Sequence, residues 1–441
     1  MPPDAVAAAA LALALCAATA AHAEGADVEG AQRLALYAQA TYVEQETDAF
    51  HAPYRGPNSL TPAEGRETVD ATLYLGTRLW HGAEAWLNPE LDQGFGLDDT
   101  LGVAAFPSAE AYKIGKHQPY LRLQRLFIRQ TLNLAGAQQE VGGGANQFAG
   151  MRAADRWVLT LGKFAVTDVF DTNQYAHDPR SDFLNWAAID AGTFDYAADS
   201  WGYTVGAAAE WYQQAWALRA GLFDLSDIPN SPHLESGFDE FQIDLELEHR
   251  HQLWGRPGKL MLTAFDSRGR MGLLSAALAL AQQTGMPPDL ALVRSYRTRI
   301  GAHVSFEQEL SDSVGLFARL GKAPGNTEIY EFTDIDRSIA GGVSVKGAAW
   351  GRASDTLGVA AIINGISAER EAYLNAGGLG ILIGDGQLPH PGCEQVAETY
   401  YSLGLLAALH LTLDYQWVKN PAYNRDRGPV SILAVRVHLQ L

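Results

Sequence analysis

The chain has 441 residues, 47% hydrophobic and 19% charged, with 32 Lys and Arg against 51 Asp and Glu, a formal charge of −19 and a pI near 5.0. So apolar a composition excludes a disordered chain, and so acidic a balance argues against nucleic acid as a partner, because no basic field is available for a polyphosphate backbone. Cys16 and Cys393 are its two cysteines, so the fold cannot depend on a set of disulfides.

Residues 5–21 form an alanine- and leucine-rich run followed by the small-x-small site Ala21-His22-Ala23, the pattern of a secretory signal. Met1 to Asp4 supplies no basic residue, a departure from the usual start, and Leu15 before Cys16 argues against lipid attachment. The expectation is a signal peptide over 1–23 and a single domain over 24–441 that works outside the cytoplasm. No later run approaches 18 apolar residues, so no transmembrane helix is expected.

Strict alternation recurs instead, the period-two signature of strands with one apolar and one polar face. Val69, Ala71, Leu73 and Leu75 oppose Asp70, Thr72, Tyr74 and Gly76; Ile243, Leu245 and Leu247 oppose Gln242, Asp244, Glu246 and Glu248. Sixteen such segments lie near 34–46, 68–79, 82–91, 120–134, 156–165, 201–213, 216–225, 241–254, 258–268, 298–310, 313–323, 338–350, 356–366, 398–408, 409–420 and 430–441. Connections after odd strands are long and those after even strands tight, as at His81, Gln214-Ala215, Arg256-Pro257 and Asp312. The connection 135–155, with Gly142-Gly143-Gly144, breaks this rule and reads as an extended turn or a missed bulge.

Hairpins with short turns on one rim and long loops on the other form outer-membrane barrels. Hydrocarbon offers no partner for backbone N–H and C=O groups, so such a sheet must close. The fold class expected is therefore all-β, a transmembrane antiparallel β-barrel of sixteen strands with long inward-folding extracellular loops and a water-filled lumen. Trp80, Trp201, Trp216, Trp254 and Trp350 near strand ends suggest an interfacial girdle. A soluble sandwich would also alternate, but its connections need not alternate in length. Residues 271–285 have helical composition ended by Pro287-Pro288, and His249 with His251 read as belt histidines, since a zinc site would need a third ligand nearby.

Gly102-Val103-Ala104-Ala105-Phe106-Pro107 and, most specifically, Leu161-Gly162-Lys163-Phe164 with Asp168-Val169-Phe170-Asp171-Thr172-Asn173, Tyr175, Asp178, Pro179, Phe183 and Asn185 form a recognisable set. The set resembles the carbohydrate-selective porin family of bacterial outer membranes. Asp195-Tyr196-Ala197-Ala198-Asp199 and Asn420-Pro421-Ala422-Tyr423-Asn424 add to it, whereas Leu441 stands where such barrels commonly carry an aromatic. The resemblance implies a monomeric outer-membrane barrel for passive diffusion of small neutral sugars, with an arginine at the eyelet as sugar donor. Its surroundings would be outer-membrane lipid and lipopolysaccharide, and the barrel-insertion machinery would place it there. No cofactor is expected. An anion, phosphate or general porin is the alternative, and an outer-membrane barrel enzyme is disfavoured because no G-x-S-x-G, Walker loop, C-x-x-C or H-E-x-x-H appears.

A sugar pore needs hydrogen-bonding groups for hydroxyls and aromatic faces for the ring, each interaction weak enough to allow flux. Arg122, Arg125 and Arg129 cluster on the fourth strand, where Arg125 and Arg129 share the inward set with Phe127, and Arg122 requires a bulge or a rim position. Each of these arginines would either contact sugar directly or merely pair with lumenal acids such as Glu84 or Glu246. The long segment Val166 to Ser200 carries Asp168, Asp171, Asn173 and Trp186 and is expected to fold inward and narrow the channel, with a rim-capping lid as the other reading.

Overall fold

The computed structural model describes residues 32–111, 113–332 and 334–441; the predicted signal segment lies outside the described residues. The strands are β1 (Leu34–Thr47), β2 (Gly65–Trp80), β3 (Ala83–Gly94), β4 (Lys116–Asn133), β5 (Gln138–Val141), β6 (Gly150–Ala153), β7 (Arg156–Phe164), β8 (Thr204–Gln213) and β9 (Trp216–Asp224). They continue as β10 (Phe241–Leu253), β11 (Arg256–Met271), β12 (Ser295–Ser311), β13 (Val314–Lys322), β14 (Arg337–Lys346), β15 (Thr356–Gly365), β16 (Glu394–Leu406), β17 (Leu409–Lys419) and β18 (Val430–Gln440). All but β5 and β6 close into one barrel, in the order β1-β18-β17-β16-β15-β14-β13-β12-β11-β10-β9-β8-β7-β4-β3-β2. The ring is sealed by antiparallel pairing of β1 with β18, from Gln39↔Gln440 to Thr47↔Ile432.

All sixteen predicted strands are present, because alternation fixes which residues face hydrocarbon. Leu75, Ile243, Leu245, Leu247 and Ile300 are exposed on the outside, while Asp70, Thr72, Gln242, Asp244 and Glu246 are buried in the lumen. One turn differs from expectation: β10 and β11 join through Trp254-Gly255, both at positive φ (53° and 76°), and Arg256-Pro257 is already paired strand. Positive φ at both central positions matches the twist of the flanking strands, which a turn at Pro257 could not do. The irregular connection 135–155 proves to be an extended turn, because β5 and β6 form a small hairpin within it on the short-turn rim.

Three helices sit on the long loops: α1 (Trp186–Ile189), α2 (Leu274–Thr284) and α3 (Ala368–Asn375). The predicted helix at 271–285 is α2, which ends at left-handed Gly285 with φ 71° and packs Leu274 and Ala277 inward. Trp80, Trp216, Trp254 and Trp350 are exposed beside short turns, as a girdle requires, and His249 packs against Trp216 with ring centroids 4.3 Å apart. Trp201 departs from the expectation. It is buried, with the Arg122 guanidinium 3.4 Å above its ring, so it is held inside by a cation–π contact and does not face lipid.

A second departure concerns the lumen, which is not an open channel throughout. The segment 165–203 crosses it to reach the far strands. Wall carboxylates accept its backbone N–H groups: Glu246 from Asp171 at 2.8 Å, Glu307 from Gln174 at 2.7 Å and Glu398 from Leu184 at 2.6 Å. Wall arginines donate to its carbonyls: Arg319 to Ala188 at 2.6 Å, and Arg436 to Pro179 at 2.5 Å and Asp182 at 2.8 Å. These charge-assisted bonds satisfy backbone that no sheet ladder serves. Phe183 lies edge-on to Tyr400 at 4.9 Å, and Phe170, Phe183 and Phe194 are fully buried, each stabilising the infolded loop by roughly 1.5–3 kcal/mol. The apolar core of this protein is thus inside the barrel, built from its loops.

Candidate permeation site

The larger open space lies toward β2, β4 and β7, and the local geometry of β4 sets its chemistry. Leu121 and Leu123 face outward, as do Leu126 and Ile128, so the alternation slips by one residue between the two pairs. Opposite it, Asn88 pairs with Arg125 and Pro89 with Leu123, leaving Gln124 as a β-bulge. Pro89 has no N–H for the ladder, which suits it to this position. The slip turns Arg122 and Gln124 inward along with Arg125, Phe127 and Arg129, so the bulge that Arg122 required is present.

Arg125 donates from Nε and Nη2 to the two oxygens of Asp168, each at 2.7 Å, a bidentate fork, and its guanidinium stands 4.9 Å from the Tyr203 ring. Arg129 donates from Nη1 to Glu84 at 3.0 Å and to the Asn146 carbonyl at 2.8 Å. Arg180, carried in by the loop, meets Asp70 at 2.9 Å, Glu110 at 3.0 Å and Glu90 at 3.3 Å. These three arginines border a cavity of about 500 Å³, together with the aromatic rings of Tyr74, Trp186, Tyr196 and Tyr203. A second cavity of about 300 Å³ lies toward the short-turn rim, lined by Ser311, Ser313, Ser344, Thr356, Ser402 and His438. Arg180 borders both.

Loop titrations follow from the same contacts. Burial pushes the Asp168 carboxyl up, but the Arg125 guanidinium outweighs it and holds the group below the usual carboxylate range. Burial and then the Arg319 charge lower His177, which is neutral near pH 7. Asp182, on the second cavity, is pushed up to about 6 by burial and by the neighbouring Asp178.

The structure brings together four of the sequence-derived site residues, Arg125, Arg129, Asp168 and Trp186, around the larger cavity. Trp186 presents mainly its edge, since its faces stack on Phe106 at 5.4 Å and Phe332 at 4.9 Å. Arg122 and Glu84 stand behind this set, Arg122 bound to Asp199 at 2.9 Å and Glu84 to Arg129. Asp171, Asn173 and Glu246 are not on the cavity. Asp171 is paired with Arg319 at 3.2 Å, Asn173 accepts from the Tyr175 amide, and Glu246 binds Arg219 at 2.6 Å and the Asp171 amide. Asp171 and Glu246 thus join the loop to the wall, whereas the bond of Asn173 stays within the loop. The sequence-derived site omits Arg180, Glu110 and Tyr203, although Arg180 lies in the infolding segment and Tyr203 in the family-like stretch 202–204. Arg180 was legible as the cation of the acidic loop, and Tyr74 as an inward position of β2, whereas nothing local marks Glu110.

The sequence profile of the carbohydrate-selective porin, OprB family matches residues 58–441. The chain belongs to that family. It is accordingly a sugar porin of the Gram-negative outer membrane, crossing the bilayer as a β-barrel. Among solved structures, OprB of Pseudomonas putida superposes with a TM-score of 0.68 at 15% identity, over 93% of this chain and 94% of that one. The outer membrane channel DcaP of Acinetobacter baumannii gives a TM-score of 0.51 at 11% identity, over 95% of this chain and 100% of that one. At such identities the likeness concerns the barrel alone. No curated protein matches the chain.

Proposed function

We propose that the porin passes neutral monosaccharides, and more slowly disaccharides, through a waist formed by Arg125, Arg129, Arg180, Asp168 and Glu110 against the rings of Tyr74 and Tyr203. The observation that carries this reading is charge matching. Each of the three cavity arginines already has a carboxylate partner, in Asp168, in Glu84, and in Asp70 with Glu110. A waist of paired charges offers donors and acceptors to hydroxyls without a net field to concentrate anions, which favours neutral solutes over phosphate. Its volume lies in the range of about 300–1,000 Å³ typical of small-molecule sites, room enough for a sugar ring to touch several groups weakly.

Arg122 supports this waist from behind by orienting Asp199 and Trp201. Asp171, Asn173, Trp186 and Glu246 act by holding the loop in place. The protein works as a channel and not as an enzyme, in one domain over 24–441 after cleavage of 1–23. It works as a monomer, as other members of its family are expected to; closure by β1 and β18 rules out assembly through a free strand edge. Lipopolysaccharide and outer-membrane lipid surround it, and the barrel-insertion machinery delivers it. Liposome swelling with a graded series of mono- to trisaccharides tests the reading together with bilayer current. Swelling fastest with monosaccharides and current reduced by added sugar are expected; strong anion selectivity indifferent to sugar would overturn it.

A further inference from the structure

The connection between β4 and β7 is the anomaly of the short-turn rim. Its neighbours there, between β2 and β3, β8 and β9, β10 and β11, or β12 and β13, are two residues each, yet this one runs from Leu134 to Asp155. It also turns the wrong way for a solvated turn, because its tip, Gly144 to Gln147, borders the same cavity as Arg125, Asp168 and Arg180. The tip therefore faces, across that cavity, the loop that descends from the opposite rim.

Four contacts hold it inside. Phe148 is 5% exposed, 5.1 Å from the Trp86 ring, with the Arg78 guanidinium 4.6 Å from its own centroid. Arg78 also donates to the Ala149 carbonyl at 2.8 Å. Arg129 bridges the Asn146 carbonyl to the wall residue Glu84. The tip closes on itself through two Gly144–Gln147 backbone bonds of 3.0 Å, with Asn146 left-handed at φ 55°. At Gly143 a Cβ would come within 2.2 Å of the Tyr37 hydroxyl of β1, so the hairpin reaches from β4 across to the opposite side of this sector. The wall is shaped for it too: Trp86 lies flat over Gly76, where a Cβ would strike its ring at 2.7 Å. A phenylalanine buried in the wet half of a pore, with an indole and a guanidinium on either side, marks a docked element and not a dangling turn.

We propose that the β5–β6 hairpin is a second size filter, a floor entering from the short-turn rim that limits the length of saccharide able to leave the arginine waist, with Phe148 as its anchoring residue. The inference rests on the pore but not on the roles given to the arginines. Its test uses the full-length protein in planar bilayers and liposomes. One variant lacks 138–153, with Ala137 joined to Ala154 through Asn-Gly; the other is Phe148→Ala, which decides alone if the first fails to insert. Both should raise single-channel conductance by roughly twofold and bring trisaccharide swelling closer to that of monosaccharide, while sugar still reduces the current. Unchanged conductance and an unchanged trisaccharide-to-monosaccharide ratio in inserted Phe148→Ala protein would overturn it. Failure of the waist reading looks different, since native current would then ignore sugar altogether.

Discussion

On the β10 to β18 side of the lumen, Arg319, Arg436, Glu307 and Glu398 direct their charges at loop backbone, whereas on the β2 to β4 side Arg125 and Arg129 meet carboxylates of other side chains beside open space. The residue types are the same on both sides. The surroundings decide the role: a charge closed in against a packed loop is structural, and one that borders a cavity keeps hydrogen-bonding capacity for a passing hydroxyl.

Arg319→Ala should break that contrast most severely. It strips the Ala176 and Ala188 carbonyls of their donor and leaves Asp171 without its guanidinium, at a cost of about 3–5 kcal/mol to the infolded loop. Lower thermal stability and erratic, enlarged conductance are expected. The double change Arg125→Ala with Arg129→Ala should spare insertion and weaken sugar block of the current roughly tenfold, since hydrogen bonds to charged groups contribute about 1.5–3 kcal/mol. Unaltered block would remove the pair from the waist. Arg180→Gln takes the guanidinium from among Asp70, Glu90 and Glu110, so the permeability ratio of cations to anions, read from reversal potentials, should rise roughly twofold. The smallest effect concerns Asp182. Its value of about 6 is raised in the folded loop, so ionisation works against the fold above that pH and acidification relieves it. Cation preference should fall as pH drops from 7 to 5, and fall less in Asp182→Asn. The Asp168 partner of Arg125, held low, should add nothing to that titration.

Much of the barrel was legible because hydrocarbon imposes one face on every strand: Ile243 and Leu245 could only be outside, and Asp244 and Glu246 inside. The position of Arg122 was legible as a conflict with its neighbours, which the Gln124 bulge resolves. Loop destinations were not. Nothing in the local pattern of Asp171 tells that Arg319, far along the chain, will claim it, nor that Glu110 and Arg180 will meet. Such pairings depend on where a loop lands in three dimensions, and strand periodicity is silent on that. Trp201 illustrates the same limit: a tryptophan near a strand end looks like a girdle residue until Arg122 is seen above its ring.

The segment that leaves β7 and is pinned at Glu246, Glu307, Arg319, Glu398 and Arg436 has a mechanical consequence. It acts as a cross-brace in a thin-walled tube, tying distant staves together so that lateral pressure from the bilayer cannot flatten the cross-section. Pore width then belongs to the protein alone, and passage through it should be indifferent to the thickness and tension of the surrounding membrane.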